Sequence, residues 1–157
     1  MSRPAPPRPS RRPRGSAAVE MALILPTLLL LLALPLFFGR ALYHYQIMQR
    51  ASHDAARYLA SCAEVDLRSP ARTADVVAAA RAIVLAELDG GSAGSAAPLV
   101  SISCNGGQCS GYFVPATVTV QVTDLLEDDV LPFYSYNLLG ARGLPLSVTA
   151  SMRYVGN

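Results

Sequence analysis

The sequence predicts an α+β protein: a long N-terminal transmembrane helix that continues into a soluble helix, a second helix, and a small antiparallel sheet. Three observations predict it. Met21 to Phe38 contains no charged residue. Residues 40–66 contain neither proline nor glycine and carry a stripe of small residues at helical spacing. Near the C-terminus, ATVTVQVT (116–123) and LSVTASMRY (146–154) alternate apolar and polar residues strictly, the period of a half-buried strand. The expected organisation is a basic leader at 1–15, a membrane helix at 16–39, its continuation at 40–66, and an α+β domain at 67–157.

The leader, MSRPAPPRPSRRPRG, has five arginines and no acid. Its prolines bar a helix interior and it has too little apolar surface for a core, so it reads as disordered. The remainder has eight arginines against eleven acids, so the overall charge of +2 sums two opposite pieces. A basic leader before an apolar run stays on the cytoplasmic side while the rest is translocated. That accounts for the arginines without nucleic acid, and no aromatic residues interleave them as a nucleic-acid surface would require.

Counted from Ala17, the apolar run spans roughly 33 Å as a helix, the thickness of a bilayer core. A cleaved secretory signal has an apolar core of about 7–15 residues. This run is longer, and no clear small-x-small cleavage site follows it, so it reads as a retained span. Pro26 and Pro35 lie inside it. Each removes one backbone donor, leaving the carbonyls of Ala22 and Leu31 without their usual partners, and kinks or local melting are expected there.

Beyond Gly39 the helical pattern persists. Ala41, Tyr45, Met48, Ser52, Ala55, Leu59 and Cys62 recur at spacings of four and three, on one face. Much of that face is small, which suits close approach of another helix or seating of the globular part. His44 and His53 lack the i, i+4 spacing of a metal-binding pair and read as surface or packing residues. The second helix starts at Ser69–Pro70, an N-cap followed by a favoured first residue. Its apolar stripe is Val76, Val77, Ala80, Ile83, Val84 and Leu88, and Asp89-Gly90-Gly91 ends it. GGSAGSAAP (90–98) is a flexible connector.

LVSISC (99–104) and CSGYFV (109–114) read as strands flanking a turn at NGGQ. The segment DLLEDDVLPFYSYNLLGARGLP between the two alternating strands is a long, mixed connection. Cys104 and Cys109 flank the turn and are placed to close it with a disulfide. Cys62 could instead pair with either, and one thiol is left over in each case. C-x4-C without further clustered ligands does not make a zinc site. Asp124, Glu127, Asp128 and Asp129 supply oxygen ligands of the kind calcium takes, but in no EF-hand order, and read as a solvated loop. GxSxG, HExxH and a phosphate loop are missing from the sequence and its cysteines and histidines make no convincing catalytic pair, so nothing argues for catalysis, a metal or a cofactor.

Glu20 remains to be explained. A lone carboxylate at the head of a membrane helix costs energy that an ammonium partner would offset. Arg14-Gly15-Ser16 precede it, and a cut after Gly15 would make Glu20 the fifth residue of the remaining chain. This arrangement resembles a type IV prepilin. More narrowly, RGSAAVEMALILPTLLLLL followed by HDAARYLA resembles the TadE-like family of minor pseudopilins from tight-adherence (Flp-type) pilus systems. Arg14, Gly15, Val19, Glu20, Ala22, Leu23 and Pro26 match that family's first motif, and Ala55, Ala56 and Arg57 match its later A-A-R element. Met21 stands where the family has an aromatic residue, and keeps the position apolar.

The resemblance covers roughly residues 14–60 and implies a pilin-like fold. It further implies cleavage by a prepilin peptidase between Gly15 and Ser16, with Glu20 acting in docking against the N-terminal amine of a neighbouring subunit. Pro26, Ala55, Ala56 and Arg57 would take part in helix packing. The implied location is the bacterial cytoplasmic membrane, as a single-pass protein with its C-terminal domain periplasmic or extracellular, or within a pilus. The implied partners are the peptidase and other pilin subunits. The rival reading is an uncleaved, signal-anchored envelope protein whose periplasmic domain binds a partner. A membrane-anchored enzyme is a third, without a motif to support it.

Overall fold

The computed structural model describes residues 16–89, 97–127, 136 and 143–156. The chain divides into two units, residues 1–36 and 37–157. Helix α1 (Ser16–Ala60) crosses the division. It is followed by α2 (Glu64–Leu67), α3 (Pro70–Asp89) and strands β1 (Leu99–Cys104), β2 (Thr117–Glu127) and β3 (Gly143–Arg153).

The described part of the first unit is helical throughout. Its large apolar side chains point outward: Leu23 is 70% and Leu31 67% exposed. This is the one helix among the described residues long and apolar enough to cross a membrane. The expected melting at the prolines does not occur, because α1 runs through both Pro26 and Pro35 without a break. A single missing ladder bond is bracketed by intact ones. Thr27 Oγ1 also donates to the Leu23 carbonyl at 3.0 Å, a polar contact made within the helix itself.

The second unit is helix on sheet. The sheet is antiparallel in the order β1-β2-β3. Val118, Val120 and Val122 of β2 are fully buried, with Val148 and Ala150 of β3 and Val100 of β1 beside them. The opposite parity forms a polar face, where Thr119 bonds Ser151 at 3.1 Å and Ser147 lies within 3.4 Å of both Gln121 and Thr123. Strand alternation thus sorts one face for the core and one for water. Onto the apolar face come Met48, Ala51, Ala55, Ala56 and Leu59 of α1 and Val76, Ala80, Val84 and Leu88 of α3, in one cluster. Val77 and Ile83, expected in the α3 stripe, are only half-buried at its margins.

Two expectations are corrected. The continuation of α1 stops at Ala60 rather than 66, and the chain turns through 61–63 before the single turn α2. The cause is tertiary. Val155 and Gly156 N–H donate to the Ala60 carbonyl at 3.2 and 3.4 Å, and Tyr154 Oη donates to the Cys62 carbonyl at 2.8 Å. The C-terminal segment therefore supplies the donors that a further helical turn would have supplied. The second correction is 109–114, which is loop rather than strand. The ladder of β1 is taken by β2, with Cys104 opposite Val118. Only the turn itself is present: Asn105 and Gly106 adopt φ of 52° and 80°, and Cys104 and Gly107 exchange backbone bonds of 2.7 and 3.0 Å. Asn–Gly suits such a two-residue turn because both positions need positive φ. Asn105 Oδ1 then accepts from the N–H groups of Ala116 and Thr117, fastening the turn to the start of β2.

The start of α3 is as expected. The Ser69 carbonyl accepts the Thr73 N–H at 2.8 Å, which puts Ser69 at the N-cap and Pro70 at the first helical position. Gly111 packs directly over this turn: a Cβ there would lie 2.6 Å from the Pro70 Cα, and its φ is +75°. Both close approach and backbone demand glycine.

Candidate functional site

In the first unit the polar feature is Glu20. It is the fifth residue of α1, exposed, and flanked by Val19 and Met21 at 65% and 66% exposure. Among the described residues no hydrogen bond or ion pair engages it. Gly15 lies outside the described residues, and Ser16 is the first residue of the helix. Pro26 lines a shallow apolar groove with Thr27, Leu30, Leu31 and Leu34. A carboxylate on an apolar helix is penalised by desolvation wherever no cation offsets it.

In the second unit the A-A-R element separates. Ala55 and Ala56 are fully buried within the chain's own core, whereas Arg57 is exposed. The small-residue face of α1 therefore holds the globular domain. Ala41, Met48, Ser52, Ala55 and Leu59 are buried, with Tyr45 and Cys62 at the margin. Of the two uses expected of this face, packing on another helix or seating the globular part, Ala55 and Ala56 serve the second.

A feature the sequence did not disclose is the pair His44–Asp124. His44 Nε2 lies 2.8 Å from Asp124 Oδ2, and the two residues are 2% and 6% exposed. The other carboxylate oxygen accepts the Leu125 N–H at 2.8 Å. Of the two expectations for His44, packing holds and surface does not, and Asp124 is corrected from a solvated loop to a buried position within β2, its oxygens engaged inside the domain. Glu127 is half-buried at the end of β2, and Asp128 and Asp129 lie outside the described residues. The signal available in sequence was parity, because Asp124 shares the phase of Val118, Val120 and Val122.

Cys104 and Cys109 are joined by a disulfide, and Cys62 is a free thiol. Burial raises the Cys62 pKa, the Asp66 carboxylate raises it further, and a hydrogen bond with Tyr58 opposes them. A thiol held in its protonated form is a poor nucleophile. His53 is exposed on α1, in a shallow crevice with Gln46, Gln49, Arg50 and Asp54. Asp54 also meets Glu87 of α3. Burial raises the Glu87 pKa, the neighbouring Asp54 charge adds to it, and the two carboxyl groups share a hydrogen bond. Among the described residues no three His, Cys, Asp or Glu side chains converge as a metal site would need.

Among the described residues, one helix long and apolar enough to cross a membrane and a helix-on-sheet domain define an α+β protein with a candidate membrane span. Within that class the chain is similar to one family in particular: the model described as TadE-like protein matches residues 15–57, from Gly15 through Glu20 and Pro26 to Ala55, Ala56 and Arg57. That match bears out the family resemblance seen in the sequence. No curated protein and no solved structure matches the chain.

Proposed function

We propose that this chain is a minor pilin-like subunit that takes part in assembly of a tight-adherence (Flp-type) pilus and does no chemistry itself. It inserts with its N-terminus in the cytoplasm and is cut by the prepilin peptidase between Gly15 and Ser16. It then docks with other pilin subunits through the membrane helix, where Glu20 pairs with a neighbour's freed N-terminal amine. The observation that carries this reading is the lone exposed carboxylate of Glu20 on an apolar helix, inside a TadE-like match that begins at Gly15. The α+β domain, outside the cytoplasm, offers the partner contacts.

The test is the N-terminus and intact mass of the protein taken from membranes, with and without the peptidase. A chain beginning at Ser16 only when the peptidase is present supports the reading. A chain that keeps residues 1–15 in both overturns it and leaves an uncleaved anchor for a partner-binding envelope domain.

A further inference from the structure

β1 lies at an edge of the sheet, with β2 on one side only. Along an antiparallel strand each residue turns its N–H and C=O to the same side, and the side alternates from residue to residue. The bonds near its two ends show which residues of β1 turn away from β2. Cys104 exchanges backbone bonds with Gly107, and the Val100 carbonyl accepts from Arg81 Nη2 of α3 at 3.1 Å. Asn105, of the opposite parity, donates its N–H to the Thr117 carbonyl of β2 at 2.9 Å. Ile102 shares the parity of Val100 and Cys104, so its N–H and C=O also turn outward. Among the described residues nothing bonds to either group.

Beside that edge runs a groove of about 500 Å³ between β1 and α3. Ala74, Ala78 and Ala82, all exposed and spaced four apart on one helix face, form its α3 wall, and Leu85 continues it. Ile102 lines the opposite wall. The alanines leave open the space that longer side chains would fill. From Ala74 to Leu85 the helix rises about 16 Å, the length of about five extended residues. Among the described residues Arg81 is the one charged side chain lining the groove. A guanidinium carries five N–H donors, and here only the bond to Val100 is made among the described residues. An apolar wall, an unused backbone donor and acceptor, and a cation with donors to spare thus border one groove.

We infer that this groove binds an extended peptide segment of a partner protein, which adds to β1 at Ile102 and sets a carboxylate against Arg81. The occupant is a strand because the free N–H and C=O of Ile102 are the groups that one residue of an added strand matches; a helix would leave both unbonded. Small apolar side chains at alternate positions of the segment fill the space over the alanines. The carboxylate follows from charge complementarity, since it is the anion a guanidinium pairs with and a peptide carries it on an acidic side chain or at its C-terminus. Both α3 and β1 belong to the second unit, and the site needs neither cleavage after Gly15 nor a pilus, so it stands apart from the proposed function.

The experiment uses the full chain in detergent micelles and two arrays of random hexapeptides, one ending in a free carboxylate and one in an amide. Peptides with small apolar residues at alternate positions are expected to be retained. Retention on both arrays, with aspartate or glutamate enriched at one position, identifies a side chain as the source of the carboxylate. Retention on the first array alone identifies the chain end. The strongest binder is then titrated in solution. Ala78→Leu, which fills the groove from an exposed position, is expected to weaken it about tenfold or more. Arg81→Gln keeps a donor for the Val100 carbonyl but not the charge, and is expected to abolish the preference for a carboxylate. Hydrogen exchange at the Ile102 amide is expected to slow severalfold in the complex. No retained peptide, retention without a carboxylate, affinity indifferent to Ala78→Leu, or unchanged exchange at Ile102 each overturns the inference.

Discussion

Residues 16–36 and the part of α1 beyond them make opposite use of the same helical backbone. In the first stretch the exposed positions are leucine, isoleucine and methionine, from Met21 at 66% to Leu32 at 50%. In the second the buried positions are Ala51, Ser52, Ala55 and Ala56, at 0%. Hydrophobicity alone would order these the other way. The difference lies in what covers the helix. Lipid accepts large side chains at no packing cost, whereas the sheet and second helix close on a face of α1 in which small residues alternate with Met48 and Leu59. The first stretch keeps its chemistry in reserve for something outside the chain; the second has spent its surface on the chain's own core.

The largest effect that separates the two stretches is expected at Glu20. Glu20→Ala leaves insertion and the fold of residues 37–157 unchanged, because no described residue bonds to the carboxylate. On the proposed function, piliation falls to the level of a null strain. Electron microscopy of pili, with membrane fractionation and circular dichroism of the same variant, checks both halves. Normal piliation would remove the assembly role from this carboxylate and leave the first stretch as a plain anchor.

Next in size is His44→Ala. It removes the partner of Asp124 at a site almost closed to water, and an orphaned buried carboxylate costs about 3 kcal/mol. Urea unfolding followed by tyrosine fluorescence reads it. Asp124→Asn, which keeps a hydrogen-bonding group at the same place, should lose less. Equal and negligible losses would mean that the pair contributes nothing to joining α1 and β2.

Ala56→Leu sharpens the comparison directly. Three added carbons in a filled core cost about 1–3 kcal/mol through strain. The same change at Ala22, on an exposed face of the first stretch, should leave the unfolding midpoint where it was. If Ala56→Leu were equally silent, the packing assigned to the A-A-R element would be wrong, and that face would be open to another subunit after all.

These sites also differ in how readily the sequence disclosed them. The span, the Ser69–Pro70 start of α3 and the alternating strands follow from local rules: charge exclusion, capping and period two. Ser69 and Val118 need no knowledge of their neighbours to be assigned. The end of α1 at Ala60 was hidden because its donors, Val155 and Gly156, sit at the far end of the chain. The loop at 109–114 was hidden for a related reason: which strand pairs with β1 is decided by β2, not by CSGYFV. The His44–Asp124 pair joins residues eighty positions apart, and only the parity of Asp124 within β2 hinted that it faces inward. Glu20 was legible because its oddity is local, a charge where the surrounding run excludes charge.

The smallest expected effect is also the one that depends on pH. Glu87 on α3 has its pKa raised above the ordinary 4.5 by burial, with the Asp54 charge and a shared hydrogen bond adding to it. A carboxyl group whose folded pKa exceeds its unfolded one contributes its full share of stability below the unfolded value. That share is lost as pH rises through the folded value, because the folded state then resists giving up its proton. Stability should therefore decline from about pH 4.5 upward to the raised pKa, with the α1–α3 contact loosened at the top of that window. Glu87→Gln carries no proton to lose. It should flatten this part of the profile and, above the window, melt slightly higher than the parent. Melting curves of both proteins across that range, at fixed salt, test it. Parallel profiles would mean that water screens the Asp54–Glu87 pair completely, and that the join between the two helices rests on Ala55, Ala80 and Val84 alone.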